Sequence, residues 1–151
     1  MKKTLLVVST LLIVLLFASL MYIKMNPPLS APGITYDIRD ETKRVIQIVN
    51  DGFANCNLKS VLVNGNAAQQ VELGVSRTNH MVLGAGVEED PNITFHDIQE
   101  FQVQPKGLAD KHVIKHYGLR VFGKENPEYI KIKYTYLGIP YTLEVDVKRE
   151  K

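Results

Sequence analysis

The chain has 151 residues, 45% of them hydrophobic and 23% charged, with a formal net charge of +2, one cysteine and no tryptophan. Lys2 and Lys3 account for that excess charge, so the rest of the chain is balanced, which excludes the cationic surface of a nucleic-acid or other polyanion binder. The lone Cys56 excludes an intrachain disulfide, and without tryptophan there is no Trp–disulfide pin, so the fold must stand on its hydrophobic core.

Leu5–Ile23 is a run of nineteen residues without charge, proline or glycine. At ~1.5 Å per residue, a helix of that length spans the ~30 Å hydrocarbon core of a bilayer, and a helix apolar on every side has no other place to hide. A signal peptide has a shorter core and a small-x-small cleavage site. Here Ala18 is followed two residues on by Leu20, too large for such a site, and Ala31 has Leu29 before it and Pro32 after it. The stretch therefore reads as an uncleaved anchor, and the absence of a cysteine near it excludes lipoprotein attachment. Lys2 and Lys3 precede it and only Lys24 follows at once, so the positive-inside rule keeps residues 1–3 cytoplasmic and exports the remainder. The expected divisions are a cytoplasmic terminus at 1–3, an anchor at 4–23, a spacer at 24–33 and one extracytoplasmic domain at 34–151.

Lys24–Gly33 reads KMNPPLSAPG, a proline-rich extended spacer that would hold the domain off the headgroups. From Ile34 the apolar period is two. Ile34, Tyr36 and Ile38 alternate with polar residues, and Val45–Val49 follows, closed by the turn signal Asn50-Asp51-Gly52. Leu58–Val63 ends in Asn64-Gly65-Asn66, a turn that needs positive φ. Val71, Leu73 and Val75 mark a fourth strand and Met81–Leu83 a short fifth. Gly84–Pro91 is loop. Ile93–Val103 carries the next strand or strands, with Ile93, Phe95, Phe101 and Val103 pointing inward. Val113–Phe122 follows, and Leu108–His116, which overlaps its start, is a competing helical patch too short to be more than a loop element. Tyr129–Tyr136 and Tyr141–Val147 form a closing hairpin turned at Gly138, with Tyr134 and Tyr141 in the core and Tyr129 and Tyr136 at the rim.

Seven to nine short strands, frequent turn signals and no long amphipathic helix after the anchor predict an all-β, Ig-like antiparallel sandwich. The stretch from HYGLRVF through YIKIKYTYLGIPYTLEV resembles the small, single-anchor, Ig-like exported proteins of Gram-positive, Bacillus-like bacteria. The resemblance implies the fold and the location, and it carries over no catalytic residue.

Four groups of residues invite a chemical reading. His112 and His116 share one face on a helix or a strand, as a metal pair requires, but no acid lies between them and Lys111 and Lys115 flank them. Glu88, Glu89 and Asp90 offer calcium-type oxygens without the surrounding loop of ligands that the ion needs. Cys56 has no local cation to activate a thiolate. Asn92-Ile93-Thr94 fits a glycosylation sequon, which would be idle in the bacterium that the resemblance implies. No catalytic residue, cofactor or metal is expected. The expected role is a non-enzymatic binding or scaffolding module at the cell envelope, touching lipid through the helix and another envelope protein through Glu88, Glu89 and Asp90 or through Lys131 and Lys133. The alternative is a metal-assisted hydrolase built on His112 and His116. Pro140, which cannot donate to a ladder, points to Ile139–Val147 as an edge strand.

Overall fold

The computed structural model describes residues 2–36, 40–78, 82, 90–107 and 114–147. Among these residues, one helix, α1 (Lys2–Met25), precedes nine strands: β1 (Leu29–Tyr36), β2 (Lys43–Asn50), β3 (Cys56–Val63), β4 (Asn66–Ala67), β5 (Gln70–Ser76), β6 (Ile93–Asp97), β7 (His116–Phe122), β8 (Tyr129–Tyr136) and β9 (Ile139–Asp146). They form two antiparallel sheets, ordered β1-β2-β7-β5-β6 and β4-β3-β8-β9. The inner residues of both, among them Ile46, Ile48, Leu73, Leu119, Ile130, Ile132 and Tyr134, are buried in one core. The period-two pattern is therefore that of a β-sandwich.

α1 is uncharged from Thr4 to Ile23, and its described large apolar side chains from Val7 to Tyr22 are open, Ile23 being the partly buried exception that packs on the sandwich core. The helix stops where Asn26 caps it: the Asn26 backbone N–H and Nδ2 both donate to the Tyr22 carbonyl, at 3.1 and 2.8 Å. Pro27 and Pro28 forbid continuation.

The expected ten-residue spacer is shorter than its composition implies. Only Asn26, Pro27 and Pro28 separate α1 from β1. Leu29 is buried and pairs with Asn50, while Ser30–Gly33, proline included, lie within β1. The register shifts between Ser30 and Gly33, so Pro32 sits exposed at a bulge in an edge strand, where a missing N–H costs no ladder bond.

Other strands differ in detail. β6 ends at Asp97, and Val103 contributes an isolated bridge to Cys56 in place of a strand. Of the expected strand Met81–Leu83 only Val82 is described, and it is no strand residue. Most of the helical patch lies outside the described residues, and its end, His116, opens β7. Phe95 faces outward rather than inward, because it pairs with Gly74 while its neighbour His96 pairs with the core residue Leu73. Tyr136 is buried rather than at the rim, since it shares parity with Ile132 and Tyr134.

The pairing gives the sandwich two ends. β3 and β8 run antiparallel, with Cys56 opposite Tyr136 at one end and Val63 opposite Ile130 at the other, ~23 Å away at ~3.3 Å per residue. The first is the helix end, because Tyr141 Oη donates to the Ile23 carbonyl at 2.8 Å and the Asp51 N–H donates to the Pro28 carbonyl at 2.8 Å. The second is the far end.

Candidate functional site

Among the described residues, the sequence-derived candidates do not converge. Lys131 and Lys133 lie on β8 on the outer face of the four-stranded sheet. Lys131 is paired with Glu144 at 3.2 Å across the hairpin and lies over the Tyr129 ring, whereas Lys133 is exposed opposite Thr142. His116 lies on the other sheet, in register with Ser76 and on the same face as Arg120. Burial, and then the Lys115 ammonium, hold its imidazole below the usual histidine range. Its sequence partner His112 lies outside the described residues, as do Glu88 and Glu89. The remaining acid, Asp90, accepts from the Asn92 N–H and Nδ2, both at 2.8 Å, and so shapes the turn into β6. Cys56 is fully buried, and desolvation pushes its thiol up to about 12, the state of an inert core side chain. Among the described residues no three His, Cys, Asp or Glu side chains are grouped as a metal would need.

Two shallow depressions are lined by described residues. At the far end, Val63, Asn64, Asn66, Ala67, Lys124 and Glu125 line about 450 Å³. On the outer face of the five-stranded sheet, Gln70, Glu72, Phe95, Arg120 and Phe122 line about 340 Å³. In the second, the Arg120 guanidinium spends its donors locally: Nη2 and Nε both meet Glu72 Oε2, at 2.5 and 2.7 Å, and the plane lies 3.7 Å from the Phe95 centroid. This stacked pair braces β5, β6 and β7 across the register Glu72–Arg120.

The same face has a device that pattern reading missed. Gly74 and Gly118 face each other in register, and Val82 fills the hollow above them, leaving only 1% of its surface open. A Cβ on Gly118 would stand 2.4 Å from the Val82 carbonyl oxygen, so both strands need glycine for this contact. Val82 is thereby held against the outer face of the sheet.

The helix end has the most constructed surface. Asn50, itself buried, donates from Nδ2 to the carbonyls of Ala54 and Val103, each at 2.8 Å, and accepts the Gly52 N–H on Oδ1 at 3.0 Å. Gly52 lets the β2–β3 link press against Pro28 and Tyr136, where a Cβ would come within 2.8 Å of each. The next N–H, of Phe53, donates to Tyr136 Oη at 3.1 Å, and the Phe53 ring meets the Tyr136 ring edge-on at 5.7 Å. Phe53 is nevertheless 75% exposed. Beside it the β8–β9 turn places Leu137, 48% exposed, at φ 51°. Neither residue carries a sequence motif. The available signal is a Leu-Gly pair at a hairpin turn, where Asn-Gly is the favoured choice.

Comparison with known proteins finds no matching family model, no matching curated protein and no matching solved structure.

Proposed function

We propose that the chain is a membrane-anchored, extracytoplasmic Ig-like module with a non-enzymatic binding or scaffolding role at the cell envelope. The observation that carries this reading is the bare apolar surface of α1. A span of nineteen residues, Val7–Met25, has a mean hydropathy of 2.2, and apart from the half-buried Ile23 its side chains are exposed. The sandwich has a buried core of its own and covers only Ile23 of the span, so lipid is the natural cover for the helix. Lys2 and Lys3 before the span favour an N-terminus on the cytoplasmic side.

Strand order supports the Ig-like part. β1-β2-β7-β5 against β4-β3-β8-β9 follows the Ig arrangement in which A, B, E and D face C′, C, F and G, with β6 added at one edge. A binding role is supported by what the surface offers: shallow depressions, a mixed polar face bearing Lys133, and β9 at the edge of its sheet, as Pro140 suggests. An edge strand can pair with a partner's strand, and hairpin β8–β9 is the proposed docking element, with the Asp90 loop as the second.

Cell fractionation tests the anchor. The chain should resist carbonate extraction and lose its domain to external protease once the wall is removed; a soluble form beginning beyond Ile23 would contradict it. Photo-crosslinking in cells tests the docking surface. Probes at Lys133 and Asp90 are expected to capture one discrete envelope protein, and capture only from Lys59 or Arg77 would move the site elsewhere.

A further inference from the structure

Among the described residues outside α1, two large apolar side chains stand open to solvent, Phe53 and Leu137, and both lie at the helix end. A continuous set of contacts ties them to the last turn of α1. Phe53 and Leu137 flank Tyr136; the Tyr136 ring meets the Tyr141 ring edge-on at 6.5 Å; and Tyr141 Oη is bonded to the Ile23 carbonyl. With only Asn26–Pro28 between helix and sandwich, that end cannot move far from the helix terminus.

The two residues are also held outward at a cost to the fold. Leu137 occupies a left-handed conformation that glycine and asparagine adopt far more readily, and its side chain still stays 48% exposed. Phe53 rides on a link fixed by Asn50, Gly52 and Tyr136, so its exposure is imposed by a rigid loop. Tyr22, 70% exposed in the last turns of α1, and the exposed Lys24 and Lys106 complete a belt of amphipathic and cationic groups around this end.

We propose that Phe53 and Leu137 insert into the headgroup–acyl boundary of the bilayer that α1 crosses, so that the helix end of the sandwich is a lipid-seated platform. This rests on the reading of α1 as a membrane anchor. The seat fixes the tilt of the domain, turns the far end and the β8–β9 edge toward the aqueous side, and removes from water the apolar surface that the fold leaves open.

The test uses the full chain in vesicles of phosphatidylcholine with a minority of phosphatidylglycerol. An environment-sensitive fluorophore is attached in turn to Phe53→Cys, Leu137→Cys, Asn66→Cys and Leu12→Cys. The buried Cys56 does not compete for the label. Spin-labelled lipids should quench the probes at 53 and 137 several-fold more than the probe at 66, which lies at the far end, and deep spin labels should quench the probe at 12. Quenching at 12 with 53 and 137 behaving like 66 would overturn the platform and leave the anchor standing. A probe at 12 that lipid cannot quench would remove the anchor and the platform together. Shielding of 53 and 137 from both lipid and aqueous quenchers would overturn the proposal in favour of a protein cover, such as a second copy of the chain.

Discussion

Asn64–Gly65 at the far end and Leu137–Gly138 at the helix end turn the chain through the same pair of left-handed conformations, φ 49° and 86° against 51° and 79°. At the far end the first position is held by asparagine, which tolerates this conformation and puts its amide to use. Nδ2 donates to the Asn126 carbonyl at 3.1 Å, and Oδ1 accepts the N–H groups of Glu128 and Tyr129 at 2.8 and 3.3 Å. At the helix end the equivalent position is a leucine that makes none of these bonds and exposes half its surface. One turn is chosen for the fold and the other is tolerated by it. Departures of this kind from local preference concentrate where a residue answers to something outside the domain.

The largest expected effect comes from making the far turn resemble its counterpart. Asn64→Leu adds the left-handed penalty and removes three hydrogen bonds, for a loss of about 3 kcal/mol in a denaturant melt. A change below about 0.5 kcal/mol would mean that the amide network does not hold that end.

Alkali should then separate the two ends by titration. Cys56 and Tyr134 both lie in the half of β3 and β8 nearest the helix end, and burial pushes both up to about 12, from 9.0 and 10.0 respectively. The folded state keeps protons that the unfolded state releases, so stability is full below pH 9 and falls as pH rises from 9 toward 12. Each group contributes about 1.4 kcal/mol per pH unit above its unfolded value. Amide exchange over residues 54–58 and 134–137 should therefore accelerate before that over 61–66 and 128–131. Simultaneous acceleration would show that the ends are not distinguished in this way.

A smaller effect is expected at the joint itself. Tyr141→Phe removes the bond to the Ile23 carbonyl, at a loss of about 1 kcal/mol. The distance distribution between spin labels at Tyr22→Cys and Asn66→Cys should broaden while the β-sheet circular dichroism is kept. An unchanged distribution would show that the three-residue link alone sets the geometry.

Much of the sandwich is legible in the chain because one buried face and one wet face impose alternation, as in Ile130, Ile132 and Tyr134 against Lys131, Lys133 and Thr135. Asn64-Gly65 and Gly138 declare their turns, and Pro140 its edge. What escaped reading depends on distant partners. The start of β1 looks like a spacer because proline and glycine are tolerated at a bulged edge, and only the pairing with β2 shows it. Gly74 and Gly118 are forty-odd residues apart and mean nothing until the β5–β7 register sets them opposite each other beneath Val82. Charged residues were the obvious candidates for a surface role, yet Lys131 is engaged by Glu144 and Asp90 by Asn92. Among the described residues outside α1, the ones that stand unexplained by the fold are apolar, Phe53 and Leu137, and their exposure follows from loop geometry rather than from any local motif.

The most direct measurement is a paired one on Leu137→Asn, made on the full chain. If leucine is kept at this turn for the bilayer, asparagine should relieve the backbone and raise the stability of the domain in micelles by about 0.5–1 kcal/mol. In vesicles the same substitution should reduce lipid quenching of a probe at Phe53→Cys. Lower stability in micelles together with unchanged quenching would contradict the account, because leucine would then be serving the fold.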